Sequence, residues 1–155
     1  MTRDEIAAAI RETDARLERL RLRLLEAGKR SLSSGDWRVR DALSHLAARA
    51  NPVARSLWRM EGAIAPGGQP ALDIHEENAG QVRDRSAQSV AALLEEIAEG
   101  HRAALTDLAA LDEETLSRRF PVAFSPGELS LIEFIERAGP RHDNNHLDDV
   151  ESALA

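Results

Sequence analysis

His142 and His146 stand four residues apart near the end of the chain, in the run His142-Asp143-Asn144-Asn145-His146. On a helix such a pair lies one turn apart on one face, with about 5–6 Å between Cβ atoms, so both imidazoles can reach one metal ion. Taken alone, the pair is a weak signal that reads first as a solvated helix face. A third histidine, His45, lies far upstream in an amphipathic segment that has to pack against this one. Three imidazoles leave a position open on a four-coordinate ion, which is the pattern of catalytic rather than structural sites. The chain has no cysteine, so it has no disulfide, no thiolate zinc site and no sulfur nucleophile of its own. Any thiol chemistry has to borrow its sulfur from a small molecule.

The elements that must position these residues are helical. Thr2 followed by Glu5 is a capping box, and Ile6, Ile10, Leu17, Leu20 and Leu24 then recur at helical spacing until Gly28 offers a stop, predicting a first helix over 3–27. Ser31 to Asp36 is turn chemistry. Val39, Leu43, Leu46, Ala50, Val53 and Leu57 trace a second stripe to about Met60, in which Pro52 predicts a kink near Ala48 to Asn51. Ala65-Pro66-Gly67-Gly68-Gln69-Pro70 is a loop, and Asp73 to Arg85 reads as a loop with a short helix, together long enough for a crossover or an active-site cover. Ser86 or Ser89 opens a third long helix, with Leu93, Leu94, Ile97, Leu105 and Leu108 as its buried stripe. Leu111 to Pro126 reads as irregular, Ser130 and Glu133 cap a last helix, and Gly139-Pro140 interrupts that helix one turn before His142. The predicted fold is all-α: a four-helix bundle with a long crossover connection between helices 2 and 3, in one domain over 1–155. Bundles build metal sites between facing helices, and His45 falls at the edge of the stripe made by Ala42, Leu46 and Val53, where a core meets a groove.

Composition excludes several function classes. The formal net charge is −7, from 27 acidic against 20 basic residues, which argues against nucleic-acid and anionic-membrane partners because both need basic surfaces. Arg16, Arg19, Arg21 and Arg23 alternate with leucines and read as a solvated face. Aromatic residues make up 3% of the chain and tyrosine is absent, so there is no stacking platform for bases. No apolar stretch reaches the length of a membrane span. The first residues lack the basic and apolar regions of a secretory signal, so a cytoplasmic location is expected.

Asp36-Trp37-Arg38-Val39-Arg40-Asp41-Ala42-Leu43-Ser44-His45-Leu46 resembles the W-[ST]-x-R-D-x-x-x-H-L signature of the DinB-like superfamily. That bundle group includes mycothiol-dependent maleylpyruvate isomerases and bacillithiol transferases. His142-Asp143-Asn144-Asn145-His146-Leu147-Asp148-Asp149-Val150 resembles its second signature, HDxxHLxxI. The resemblance implies a divalent metal held by one histidine of the second helix and two of the last, which are here His45, His142 and His146. It further implies a homodimer and transfer or isomerisation with a low-molecular-weight thiol as co-substrate. Two positions depart from the pattern. Arg38 stands where a Ser or Thr often caps the second helix, leaving Asp36 for that role, and Pro140 is placed to re-aim His142.

These residues make a three-histidine centre the main expectation, with zinc or nickel the first candidates, although imidazole also suits copper and iron. Asp41, one turn before His45, and Asp143 and Asp149 beside the last pair are candidate acceptors for imidazole N–H groups, against an acidic helix surface as the alternative. His75, after the flexible loop, and the Arg83 and Arg85 pair are candidate contacts for a small-molecule substrate; a solvated histidine and a surface ion-pair network are the alternatives. His101 shares the stripe of Ile97 and Leu105 and reads as a partly buried structural histidine, while Trp37 and Trp58 read as packing residues. Three functions stay open: a metal-dependent transferase or isomerase using a small thiol, a metal-dependent hydrolase on the same site, and a non-catalytic, stress-associated metal-binding bundle. No catalytic base or nucleophile is identified.

Overall fold

The computed structural model describes residues 1–68, 72–123 and 126–155. Gln69 and Pro70 of the expected loop, and residues 124–125 of the expected irregular stretch, lie outside the described residues. The first helix, α1 (Arg3–Ala27), has the expected bounds, with Thr2 accepting from the Glu5 N–H and Glu5 accepting from the Thr2 N–H. It stops at Gly28 for a different reason than a left-handed cap: Gly28 is right-handed (φ −54°), and a Cβ there would lie 2.7 Å from Val90 Cγ2. The glycine lets the end of α1 meet the helix that begins at Val90.

The expected second helix is two helices. α2 (Val39–Ala48) ends at Arg49, and α3 (Pro52–Ile64) begins anew with Pro52 in its first turn and Asn51 accepting from the Ala54 N–H. Proline is favourable at a helix start because its missing N–H has no partner there anyway, so the chain breaks cleanly instead of kinking. Arg38, not Asp36, occupies the N-cap position of α2 without a side-chain acceptor, and the Asp41 carboxylate accepts from the Arg38 backbone N–H and its guanidinium. Helix α4 (Ile74–Asp84) buries none of its residues; α5 (Val90–Ala110) starts from the Ser89 cap. The 111–126 stretch is more regular than expected: α6 (Glu113–Ser117) precedes β1 (Arg119–Pro121), which pairs antiparallel with β2 (Glu128–Ser130), Phe120 opposite Leu129. After α7 (Leu131–Glu136), the interruption at Gly139-Pro140 is a π turn (Arg137–Arg141) leading into α8 (His142–Leu154).

The fold is mainly helical, with this small hairpin as its sheet. No described helix is long and apolar enough to cross a membrane. Helices α1 and α2 pack on α5, and α8 packs on α1 and α2. Their apolar residues form two separate cores. One joins Leu17, Leu20 and Leu24 to Leu43, Leu93 and Leu147; the other joins Ile6 and Ile10 to Val53, Leu108, Phe120 and Ile135. Where α1, α5 and the segment from α7 into α8 pass from one core to the other they carry the buried polar residues Thr13, His101 and Asp143, and α2 brings His45 to this cluster through His142. Burying polar groups costs free energy unless they are paired, so this stratum is where chemistry is to be sought. Trp58, expected to pack, is 51% exposed on α3, whereas Trp37 packs against the first core.

The break between α2 and α3 packs directly on α5. A Cβ at Gly100 would fall 2.3 Å from Ala50 Cβ and 3.1 Å from its carbonyl carbon. Gly100→Ala gains about 1 kcal/mol in helix propensity but forces backbone to move, an overpacking cost of about 1–3 kcal/mol. The expected result is a lower urea midpoint, with a net loss of up to about 2 kcal/mol; a midpoint above that of the parent would show that Ala50 moves aside freely.

Candidate metal centre

His45 lies on α2 and is 1% exposed; His142 and His146 are half-buried on the first two turns of α8. The structure brings all three together, with one ligating atom from each within 4.8 Å of the others. His45 Nε2 and His142 Nε2 are 2.9 Å apart. Their other ring nitrogens are engaged: His45 Nδ1 lies 2.6 Å from Gln81 Oε1 on α4, and His142 Nδ1 lies 2.9 Å from Asp143 Oδ1. With oxygen acceptors at both Nδ1 atoms, the proton of each neutral imidazole belongs on Nδ1, an assignment made from the partners. The two Nε2 lone pairs then face each other. That arrangement is unfavourable until a cation comes between them, and outer-nitrogen acceptors of this kind are how proteins orient metal-binding histidines.

Electrostatics disfavours the protonated form of His45 and His146. Burial, aided by the neighbouring histidines and Arg49, pushes the His45 pKa down to about 3. His146 is lowered too, by burial and then by His142. Neutral imidazole is the form that binds metal. Trp37 covers one side, its ring 5.3 Å from that of His45 and 6.1 Å from that of His146, nearly parallel to the latter. A surface depression of about 420 Å³ reaches His142 and is lined otherwise by Arg137, Arg141 and Asn145. An all-imidazole donor set with such an opening fits a divalent transition ion such as zinc or nickel.

Behind His142 a relay runs into the buried stratum. Asp143 is 4% exposed, and its second carboxylate oxygen lies 3.5 Å from His101 Nε2, while His101 Nδ1 donates to Asp14 Oδ1 at 2.5 Å. Burial alone would lower the His101 pKa, but Asp14 and Asp143 outweigh it and raise it to about 9, so His101 is a cation at neutral pH. Burial likewise works to raise the Asp143 pKa, and His101 and His142 outweigh it, holding the carboxyl below its usual range. Asp143 is therefore an anion between two imidazole rings.

The other expected site residues lie elsewhere. Asp41 is committed to Arg38, and the acceptor on His45 is Gln81. Asp149 is exposed and touches the site only through its charge, which favours protonated His146. His75 is exposed on α4. Arg83 pairs with Glu76 at the surface, and Arg85 holds α4 to α5 through Glu96 at 2.7 Å. Gln81, Asp14 and the central role of His101 went unread in the sequence. For Gln81 the only available signal was its spacing from Glu77 and Arg85, one turn away on either side. Arg16, expected to be solvated, reaches across to Asp148 and Glu151 and ties α1 to α8.

Residues 6–138 match the family model described as the mycothiol maleylpyruvate isomerase N-terminal domain. That span takes in His45, Gln81 and His101 and ends before His142 and His146. No curated protein matches the chain.

Proposed function

Since the chain belongs to the mycothiol maleylpyruvate isomerase N-terminal domain family, a DinB-like family, we propose that it is a divalent-metal-dependent transferase or isomerase using a low-molecular-weight thiol. The observation that carries this reading is the convergence of His45, His142 and His146 with ligating atoms within 4.8 Å. In this reading α1, α2 with α3, α5, and α7 with α8 are the four arms of a bundle, and the connection carrying α4 is its crossover. The three histidines hold the ion, zinc or nickel first. A bound ion supplies Lewis acidity that makes a thiol or water ligand a stronger acid at neutral pH.

The chain's own residues do the rest. Gln81 and Asp143 fix the tautomers of His45 and His142, so that both rings present Nε2 inward. Trp37 shields the flank of His146 from water. The depression at His142 admits the thiol and its electrophilic partner, and Arg137 and Arg141 on its rim favour anionic reactants. A chain without cysteine suits chemistry in which the sulfur arrives with the co-substrate. The family reading also carries a cytoplasmic homodimer, for which exposed Trp58 and Ile64 on α3 offer apolar surface.

Titration of mycothiol into the cobalt(II)-substituted protein tests the reading. A thiolate-to-cobalt absorption band that saturates at about one equivalent is expected. If the cobalt spectrum stays unchanged while the protein cleaves ester or amide substrates without thiol, the site is a hydrolase and the thiol reading falls.

A further inference from the structure

Helix α4 holds to the body of the protein by polar contacts. It buries none of its residues and packs chiefly on α2, and a segment with so little apolar burial opens locally at low cost in free energy. Its contacts with α2 follow one another as the rungs of an antiparallel pair. At the C-terminal end of α4, Arg40 donates to the carbonyls of Arg85 at 3.1 Å and Gln88 at 2.7 Å, and Arg85 pairs with Glu96 of α5. One rung on, Gln81 Oε1 lies 2.6 Å from His45 Nδ1. Arg49 and Glu77 come next, the first one turn after His45 and the second one turn before Gln81. This rung is not made. Arg49 Nε and Glu77 Oε2 are both buried and both without a hydrogen-bond partner, although each feels the other's charge. The other oxygen of Glu77 accepts from Arg55 Nη1 of α3 at 2.7 Å. Orphaned buried groups are rare, and a complementary pair of them at the next rung marks an interface short of full closure.

The geometry points to α4 as a lid over the three-histidine centre, hinged where Arg40 and Glu96 grip Arg85, latched by Gln81 on His45, and drawn shut when a cation sits on the histidines. An imidazole that gives its Nε2 to a cation carries part of that charge at its Nδ1–H, and hydrogen bonds from charged donors are about twice as strong as neutral ones. Gln81 is therefore held more tightly in the loaded protein. Tightening that rung carries Glu77 toward Arg49, where its free oxygen meets the free Nε–H. Opening does the reverse: Gln81 lifts from His45, and Ile74 at the start of α4 leaves the cavity of about 280 Å³ that it lines with Arg49 and Arg55. The closed lid covers His45 while the depression at His142 remains a way in. Coupling of this kind is reciprocal, so α4 in its closed position also holds the metal more firmly. The lid rests on the metal reading of the proposed function and adds a moving element to it.

Hydrogen–deuterium exchange of the full chain, read over Ile74–Asp84 in metal-free protein and in protein saturated with zinc, tests the lid. In the parent, zinc is expected to slow exchange there about two- to tenfold, the span that one strengthened hydrogen bond gives. Gln81→Met, which keeps the length of the side chain without its acceptor, should lose the slowing, and Gln81→Glu, which keeps an acceptor, should retain it. Glu77→Gln, which removes the charge held by Arg55, should speed exchange with or without zinc. Should Gln81→Met misfold, Glu77→Gln decides, and exchange over α4 no faster than in the parent overturns the lid. Elemental analysis of the same samples keeps the two ideas apart. Parent protein that takes up no zinc overturns the metal reading and the coupling with it. Zinc uptake with unchanged exchange over α4, or a slowing as large in Gln81→Met as in the parent, overturns the lid and leaves the metal centre standing.

Discussion

Protein carrying His146→Ala is expected to lose its metal while keeping its fold. Structural zinc sites bind with about 10–16 kcal/mol over four ligands, or about 2.5–4 kcal/mol per ligand, so one lost imidazole weakens affinity by a factor on the order of a hundred to a thousand. Elemental analysis of untagged protein after dialysis should show about one ion per chain in the parent and close to none in the variant. The fold should survive because His146 is half-buried at the rim of the cluster, whereas His45 is 1% exposed and its removal would open a cavity. Burial and the neighbouring His142 disfavour a charged His146, so truncating it removes a neutral ring and leaves no buried charge without its partner. Circular dichroism should be unchanged. A variant that retains metal at the parent level would remove His146 from the centre, and metal-free parent protein that stays empty with added zinc or nickel would leave a bundle with ordinary histidines.

What the sequence revealed and what it hid follow from how each signal arises. The pair His142 and His146 is legible because one helix holds both, and helical spacing is a property of sequence. His45 is legible through the motif that carries it. Gln81 is not, because α4 buries none of its residues and so shows no apolar stripe; only its Asp73 cap, accepting from Glu76, marks a helix start. Asp41 was a reasonable acceptor for His45 by spacing alone. Its place at the third position of α2 gives it to the Arg38 N–H instead, since helix starts leave donors that a carboxylate satisfies. The cavity lined by Arg49, Arg55, Arg59 and Arg137 was hidden for a related reason. A continuous second helix would have carried Arg55 and Arg59 away from Arg49 along one rod, and the break at Ala50 and Asn51 turns them back onto the same cavity.

The two cores also bear on why the centre sits where it does. Each polar residue buried near the divide needs a partner; Thr13 and Ser44 find one in the chain four residues back, at the Ala9 and Arg40 carbonyls. His101 meets that need on α5 by pairing with Asp14 of α1 and Asp143 of α8. The sequence shows His101 on an apolar stripe, which gives its burial correctly but not its charge. The charge comes from two carboxylates brought in by other helices, and no local pattern records them.

Asp143→Asn is expected to damage stability and metal binding together, because the two carboxylate oxygens serve two different rings. Oδ1 accepts from His142 at 2.9 Å and Oδ2 faces His101 at 3.5 Å. An amide offers one oxygen, so whichever way it turns, one imidazole meets an NH2 group where an acceptor stood. If His142 loses its acceptor, metal affinity should fall by about 10–100-fold. If His101 loses it, a buried cation keeps only Asp14, and losing one partner of a buried charge pair costs about 3–5 kcal/mol, here nearer the lower figure. The pH dependence separates these effects. His101 is raised from its ordinary value of 6.5 to about 9, so its stabilising contribution is complete below about pH 6.5 and is lost as pH climbs through 9. Parent protein should therefore lose stability over that window, by up to about 3 kcal/mol, and Asp143→Asn should flatten the slope by letting the His101 pKa fall. Asp14→Asn, at the solvent-facing end of the relay, should flatten it too while leaving metal affinity near the parent value, since Asp14 does not touch His142. Urea unfolding from pH 6 to 10 beside a metal-competition titration reads both quantities. An Asp143→Asn protein as stable as the parent across that range, with unchanged metal affinity, would show that the relay does not support the histidine centre.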